Sequence, residues 1–490
     1  MYHKQQITLK PGFIVILLTL IGLILRLIGL NQGLWYDEII ALVRFIRQPL
    51  GDLLTTYTSE NQHMLYSVLA HLSIVEFGEH IWSLRLPAVI FGVASIPALY
   101  LLGKTITNTS EALLATTLMT VSYHHVWFSQ NARGYTGLLF WTLLGTYLFL
   151  RNLQQNRLPF WVGYALIMAL GIYTHLTMAF VLLSHLMVFV WQFYSDKKKW
   201  SSAWVYLKIP FMGFGLTGLL TLLLYAPILP QMIAHFGGSG TIPSQWTDIF
   251  WAISEAIRGL KVGFARGVLG ILGLLIAGFF FTCGLWSYAK ENLMVFALLV
   301  LPGLLGAVPL ILLEHNIWPR FFFYTLGFIL LIAVRGAMVV GKLIAERLAI
   351  QNRKIYGMKI GSAIIGLLIG LSVASLPFAY RYPKQDYEGA MNFVEKMRKP
   401  SDPVVTIGLA AVVYEEYYKK NWEVITTVEQ LNQIRAQAPD TWLVYAFPIF
   451  VESRYPEVMA AILKDFTPVK IFPGTLGGGE IYVCKSHEVS

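Results

Sequence analysis

Runs of about 20 apolar residues recur along this chain from Phe13 to Ala379, broken by short polar stretches. A segment of that length crosses the hydrocarbon core of a bilayer as an α-helix. Composition agrees, with 56% of residues hydrophobic and 13% charged, where a soluble domain carries about 25% charge. A disordered chain and a soluble multi-domain enzyme are excluded. So is a transmembrane barrel, whose strands would show weak dyad alternation instead of long apolar runs. The expected fold is a polytopic α-helical membrane protein with one small soluble module.

Eleven spans are expected, at 12–30, 82–103, 111–129, 134–150, 159–174, 176–194, 205–230, 267–289, 292–313, 320–341 and 359–379. A twelfth apolar stretch, Met64–Phe77, has 14 residues and carries His71 and Glu76, which suits a helix lying at the interface better than a span. Loop charge supports that reading. If Met64–Phe77 does not cross, 15 basic residues, from Lys4 and Lys10 through Lys197–Lys199 to Lys359, share the side of the N-terminus, against about eight opposite, including Arg85, Arg133, Arg266 and Arg320. A crossing there would invert every later loop and erase the positive-inside bias. The N-terminus is therefore expected in the cytoplasm, with a retained first helix in place of a cleaved signal peptide. The net charge of +10 reads as cytoplasmic loop charge and implies no nucleic-acid partner.

Residues 1–380 then form a transmembrane domain, with external loops at 31–81 (bearing juxtamembrane helices) and 231–266. From 381 to 490 the material changes. Prolines, Pro439 among them, punctuate short patches that read as helices at Glu388–Arg398, Val428–Ala436 and Glu452–Lys464. Between them lie strands at Pro403–Ile407, Thr441–Ala446, Val469–Phe472 and Glu480–Cys484, which suggests a small extracytoplasmic α/β domain. The cysteines, Cys283 in an apolar run and Cys484 near the C-terminus, do not suggest a disulfide.

Deliberate-looking polar groups gather on the external side. Leu34-Trp35-Tyr36-Asp37-Glu38 puts two carboxylates beside aromatics that favour the headgroup level, where one acid can take a proton while the other orients a group or a cation. A wet helix start with helpful acids is the plainer alternative. Glu60-Asn61-Gln62-His63 opens the short helix and suits an anion or a sugar hydroxyl, or simple capping. Arg133, in Ser129-Gln130-Asn131-Ala132-Arg133-Gly134-Tyr135, and Arg320, in Glu314-His315-Asn316-Ile317-Trp318-Pro319-Arg320, lie at the lipid boundary. Their planar forks match phosphate oxygens, and snorkelling is the alternative. Arg26 and Arg85 read as helix anchors, and Gly477-Gly478-Gly479 as a turn.

Together these motifs resemble the GT-C superfamily of integral membrane glycosyltransferases, in its bacterial protein mannosyltransferase and aminoarabinose transferase branch. His63-Met64-Leu65-Tyr66 is similar to that branch's His-Pro-Pro-Leu-Tyr, and Leu84-Arg85-Leu86-Pro87 to its Leu-Arg-Leu-Pro. The 129–135 segment is similar to Ser-Gln-x-x-Arg-x-Tyr, and Pro319-Arg320-Phe321 to Pro-Arg-Tyr. Met64 replaces the first proline, and Asn61 stands where an acidic residue is common. The likeness covers roughly residues 20–340.

The resemblance implies a plasma-membrane enzyme that moves a sugar from a polyprenyl-phosphate donor to a protein, lipid or glycan acceptor, by inverting single displacement. On that reading Asp37 is the general base, and Glu38 assists it or orients the acceptor. Arg133 and Arg320 steady the leaving phosphate, with His63 and Asn61 beside it. Tyr36, Glu60, Tyr135 and His315 are substrate-binding candidates. The lipid-phosphate sugar is a co-substrate. A divalent cation on Asp37, Glu38 or His63 is the one cofactor kept open. A glycan polymerase or ligase of another fold, and a transporter or flippase, are the alternatives. The transporter is disfavoured by the lack of mid-membrane acids and of repeated halves.

Overall fold

The computed structural model describes residues 10–196, 203–236, 244–263, 267–438 and 440–487. Lys4, the Lys197–Lys199 run, Arg266, Pro439 and part of the 231–266 loop lie outside the described residues.

Seven described helices are long and apolar enough to cross a membrane: Ile81–Ile106, Met178–Ser195, Ala203–Tyr225, Gly267–Glu291, Leu293–Leu312, Pro319–Arg347 and Arg353–Arg381. The other four expected spans are also helical. Pro11–Leu27 and Leu158–Thr174 are shorter, while 111–129 divides into Thr109–Val121 and Tyr123–Ser129, with extended Ser122 capping the second piece. Tyr135–Gln155 runs 21 residues, but it is more polar because it lies inside the bundle, where Thr136, Thr142, Thr146 and Asn152 are all buried. These hydroxyls are satisfied within the bundle: Thr146 donates to the carbonyl of Thr142 at 2.7 Å and Thr136 to the Ala88 carbonyl of a neighbouring helix at 2.9 Å. Helices Gly267–Glu291 and Leu326–Arg347 pack at backbone contact. A Cβ on Gly284 would strike the Ile332 carbonyl, and one on Gly336 the Phe280 carbonyl, so small residues set this approach.

Met64–Phe77 is a 14-residue helix, about 21 Å long, against a hydrocarbon core of about 30 Å. Gly78, at φ 81°, ends it and turns the chain into Ile81–Ile106. Tyr66 Oη then donates to the Leu84 carbonyl at 2.7 Å and Ser73 Oγ to the Ser83 carbonyl at 2.6 Å, folding the short helix back onto the start of the long one.

Beyond Arg381 the chain forms a five-stranded sheet: β1 (Val404–Thr406), β2 (Glu423–Val424), β3 (Trp442–Ala446), β4 (Phe466–Phe472) and β5 (Ile481–Ser486), in the order β2-β1-β3-β5-β4. Strands β2, β1 and β3 are parallel, and β5 and β4 join antiparallel. Both faces are covered. Val404, Trp442, Val444, Ile481 and Val483 pack on Leu34, Ile39, Ile40 and Phe45 of the 31–81 segment. Val405, Leu443, Tyr445 and Cys484 meet Leu431, Val458 and Ile462 of the tail helices. Two buried faces explain why these strands read as short unbroken apolar runs.

The tail departs from the sequence reading in several details: strand β2 and the short helix Leu409–Val412 were not expected. The helix expected at Glu452–Lys464 is two helices, Pro448–Arg454 and Pro456–Asp465, because the residue before a proline is pushed out of the helical region, as Tyr455 is at ψ 58°. β4 begins earlier than expected and tolerates Pro468 because it is an edge strand with a register shift there.

Candidate active site

Asp37 and Glu38 sit in the first turn of the short helix Tyr36–Ala41. Neighbouring helical residues point about 100° apart, and here the two acids part company. Glu38 is fully buried. Its Oε1 accepts from Arg85 Nε at 2.8 Å and from the Ala132 backbone N–H at 2.6 Å, and its Oε2 accepts from Arg85 Nη2 at 2.6 Å. Burial alone would push this carboxyl up; the charges of Arg85 and Lys384 and the hydrogen bonds from Arg85 and Ala132 hold it below its ordinary value. Arg85 Nη1 also donates to the Leu30 and Gln32 carbonyls at 2.7 and 2.8 Å. Trp35 Nε1 donates to Asn131 Oδ1 at 3.0 Å. Glu38 therefore stitches the first motif to the Arg85 and Arg133 segments and does not line the cavity. Read as a motif, the two acids share work at the substrate; the packing separates them.

Asp37 faces a cavity of about 240 Å³ that it lines with Tyr36, Glu60, Asn61, Trp318 and Arg320. Its Oδ2 lacks a hydrogen-bond partner and stands 3.5 Å from Arg320 Nη2. The Arg320 guanidinium lies over Trp318 at 4.6 Å and Trp35 at 5.7 Å, and its Nε is without a partner. Aromatic faces hold this cation in place while leaving donors free.

Arg133 is buried next door, behind the cavity wall as His63 is, and donates to the carbonyl and side-chain oxygens of Asn61, which does line the cavity, while its Nε is unpartnered. His63 caps the Met64–Phe77 helix. Its Nδ1 accepts from the Gly134 N–H at 2.8 Å, and its Nε2 is 3.0 Å from Arg133 Nη2. Burial first, then the charges of Arg133, His175 and Arg320, push its imidazole well below the ordinary value, so it is neutral at pH 7. A neutral ring has one bare nitrogen, yet both face N–H donors, so donors are in excess at this point. Tyr135 packs edge-on against His63 at 5.2 Å and does not line the cavity. His175 lies 4.7 Å from the His63 ring and is pulled down to about 3 by burial and then by Arg133. At the rim, His315 Nε2 meets Glu60 Oε1 at 3.5 Å.

A divalent cation finds no donor set in Asp37, Glu38 and His63. Both Glu38 oxygens are taken, both His63 nitrogens face N–H groups, and the Arg320 guanidinium stands against Asp37. Among the described residues no three His, Cys, Asp or Glu side chains converge elsewhere.

The cavity also has walls without a sequence motif. Trp246 comes from the 231–266 segment, and Leu409, Phe447, Leu476 and Gly477 come from the tail. The local signal for one of them was Phe447-Pro448, where Phe447 adopts φ 51°. Lys384 and Gln385, just past the last long helix, tie the tail in. Lys384 Nζ donates to the Gln130 carbonyl at 2.6 Å, and Gln385 Oε1 accepts the Tyr36 N–H at 3.0 Å. Burial first, and then Arg85, bring the Lys384 ammonium down to about 7 against the opposing pull of Glu38.

Residues 63–227 match the family model of dolichyl-phosphate-mannose-protein mannosyltransferases. No curated protein sequence matches the chain. Among solved structures, apo ArnT from Cupriavidus metallidurans is similar at 13% identity and TM-score 0.52, over 96% of this chain and 98% of that one. The same protein bound to undecaprenyl phosphate is similar at 12% and 0.51, over 97% and 98%. The Archaeoglobus fulgidus oligosaccharyltransferase, in complex with Zn and sulfate, is similar at 13% and 0.54, over 91% and 69%. The chain thus shares its fold with ArnT and with the archaeal oligosaccharyltransferase, carries seven described helices long and apolar enough to cross a membrane, and over residues 63–227 is similar to the mannosyltransferase family.

Proposed function

We propose that this protein transfers a sugar from a polyprenyl-phosphate donor to an acceptor hydroxyl at the extracytoplasmic face of the plasma membrane, with the N-terminus in the cytoplasm and residues 381–490 outside. The observation that carries the reading is the pairing, in the wall of one cavity, of an Asp37 oxygen without a hydrogen bond and an Arg320 guanidinium held on aromatic faces. ArnT bound to undecaprenyl phosphate and an archaeal oligosaccharyltransferase bound to dolichol phosphate support the donor class.

Asp37 takes the proton of the acceptor hydroxyl as its oxygen attacks the anomeric carbon. The bond from that carbon to the phosphate oxygen breaks on the opposite side, which inverts the centre. The polyprenyl phosphate leaves with the electron pair, and its growing charge falls to Arg320 and to Arg133, whose free Nε and the donor excess at His63 suit an anionic oxygen. Glu38 acts through Arg85 as a positioning residue. Tyr36, Asn61 and Glu60 line the substrate cavity, while Tyr135 buttresses His63 and His315 holds Glu60 at the rim. No step runs through a metal ion.

The test offers purified protein a panel of radiolabelled polyprenyl-phosphate sugars together with a membrane extract. Label should move to an extractable product with the wild type and not with Asp37→Asn. Failure of every donor, or full turnover by the variant, would reject the reading.

A further inference from the structure

A second cavity, about 100 Å³, adjoins the first and shares Trp246, Trp318, Phe447 and Gly477 with it. Its walls are aromatic. The Trp318 ring lies 5.1 Å from Trp246 and 5.0 Å from Trp251, the latter pair at 88°. The Ile317 N–H donates to the Trp246 carbonyl at 3.0 Å, which fixes the second external loop beside the Pro319-Arg320 motif. Trp251 comes from the helix Ile249–Val262, which exposes Phe250, Ile253, Ile257 and Leu260 at helical spacing, the mark of a helix lying on lipid. Asp248 caps that helix, and His124 Nε2 meets its Gly259 carbonyl at 2.8 Å.

The charges of this cage select among ligands. Glu255 is the one charged residue among its described walls, and Arg258 donates to both of its carboxylate oxygens. An aromatic cage with an uncompensated acid takes an ammonium group, but this acid is already neutralised. A phosphate would find no cation in the walls. A peptide would bring backbone N–H and C=O groups in need of partners, and indole faces supply none. A neutral ring with an apolar C–H face and polar edges fits both the indoles and the remaining lone pairs of Glu255.

We propose that Trp246, Trp251, Trp318 and Phe447 form the acceptor subsite and that the acceptor is a saccharide, laid on the indoles with one hydroxyl directed towards Asp37. This rests on the reading of Asp37 as the general base. The tail then has a role in the reaction, because Phe447 and the Gly477 loop complete the subsite that the membrane domain begins.

Binding is measured without turnover, by saturation-transfer NMR on the full chain in lipid nanodiscs free of glycoside detergents. The probes are methyl glycosides of common hexoses and pentoses, with an acetylated Ser/Thr peptide as comparator. At least one glycoside should bind, Trp251→Ala should weaken it roughly tenfold, and Trp251→Phe should restore most of the affinity. Unchanged glycoside affinity in Trp251→Ala that still binds donor, or binding of the peptide and of no glycoside, overturns the proposal. Full turnover by Asp37→Asn would instead reject the catalytic reading, and it leaves the saccharide measurement standing.

Discussion

Arg320 Nη2 stands 3.5 Å from Asp37 Oδ2, close enough for the charges to feel each other yet outside a hydrogen bond, and that oxygen has no other donor. The arrangement leaves room for an acceptor proton on one group and a phosphate oxygen on the other. Asp37→Asn keeps the shape and removes the base. Transfer should fall by about 10²–10⁴, while equilibrium binding of the lipid-phosphate sugar stays within a few-fold. A donor-binding isotherm beside a product assay separates the two.

Arg320 is held by the faces of Trp318 and Trp35, on which a planar guanidinium stacks while its forked donors stay aimed, an arrangement a compact ammonium does not reproduce. Arg320→Lys should therefore fall well short of rescue, with kcat down by about 10²-fold and a smaller change in donor KM. Recovery of full kcat in the lysine variant would show that charge alone suffices at this position.

The Glu38–Arg85 pair is fully buried. Glu38→Gln leaves an uncompensated guanidinium and should destabilise the protein by about 3–5 kcal/mol, read as a large drop in thermal midpoint in nanodiscs. Replacing both partners with apolar residues, often neutral for a buried ion pair, should not recover the loss here. Arg85 also serves the carbonyls of Leu30, Gln32 and Gly33, which would be left unpaired.

The Glu60–His315 contact gives a pH signature. The hydrogen bond with Glu60 raises His315 against the opposing effect of burial, and the hydrogen bond with His315 lowers Glu60. A raised histidine contributes fully below its ordinary 6.5 and is lost as pH climbs through the raised value; a lowered carboxylate contributes above its ordinary 4.5 and is lost as pH falls through the lowered one. The difference in thermal midpoint between wild type and His315→Gln should peak between pH 4.5 and 6.5 and shrink on either side. Partial exposure limits it to about 0.2–1 kcal/mol. A difference that stays flat from well below pH 4.5 to well above pH 6.5 would refute the pairing.

Much of this protein was legible in one dimension. The membrane class follows from apolar run length, and the short helix Met64–Phe77 follows from an apolar run of only 14 residues. The motifs around Asp37, His63, Arg133 and Arg320 stand out because charge is scarce where lipid is near. Those properties are local, written in periodicity and in the cost of putting polar groups in hydrocarbon. Tertiary structure decided the rest. Asp37 and Glu38 are chain neighbours, yet the turn of one helix sends the first to the cavity and the second to Arg85, and no spacing rule ranks them. Trp246, Trp251, Phe447 and Gly477 carry no motif, because they reach the site only when the second loop and the tail sheet pack against the membrane domain. Contacts between residues hundreds of positions apart depend on how buried faces match, and a linear pattern of burial records which side of an element is covered but not what covers it.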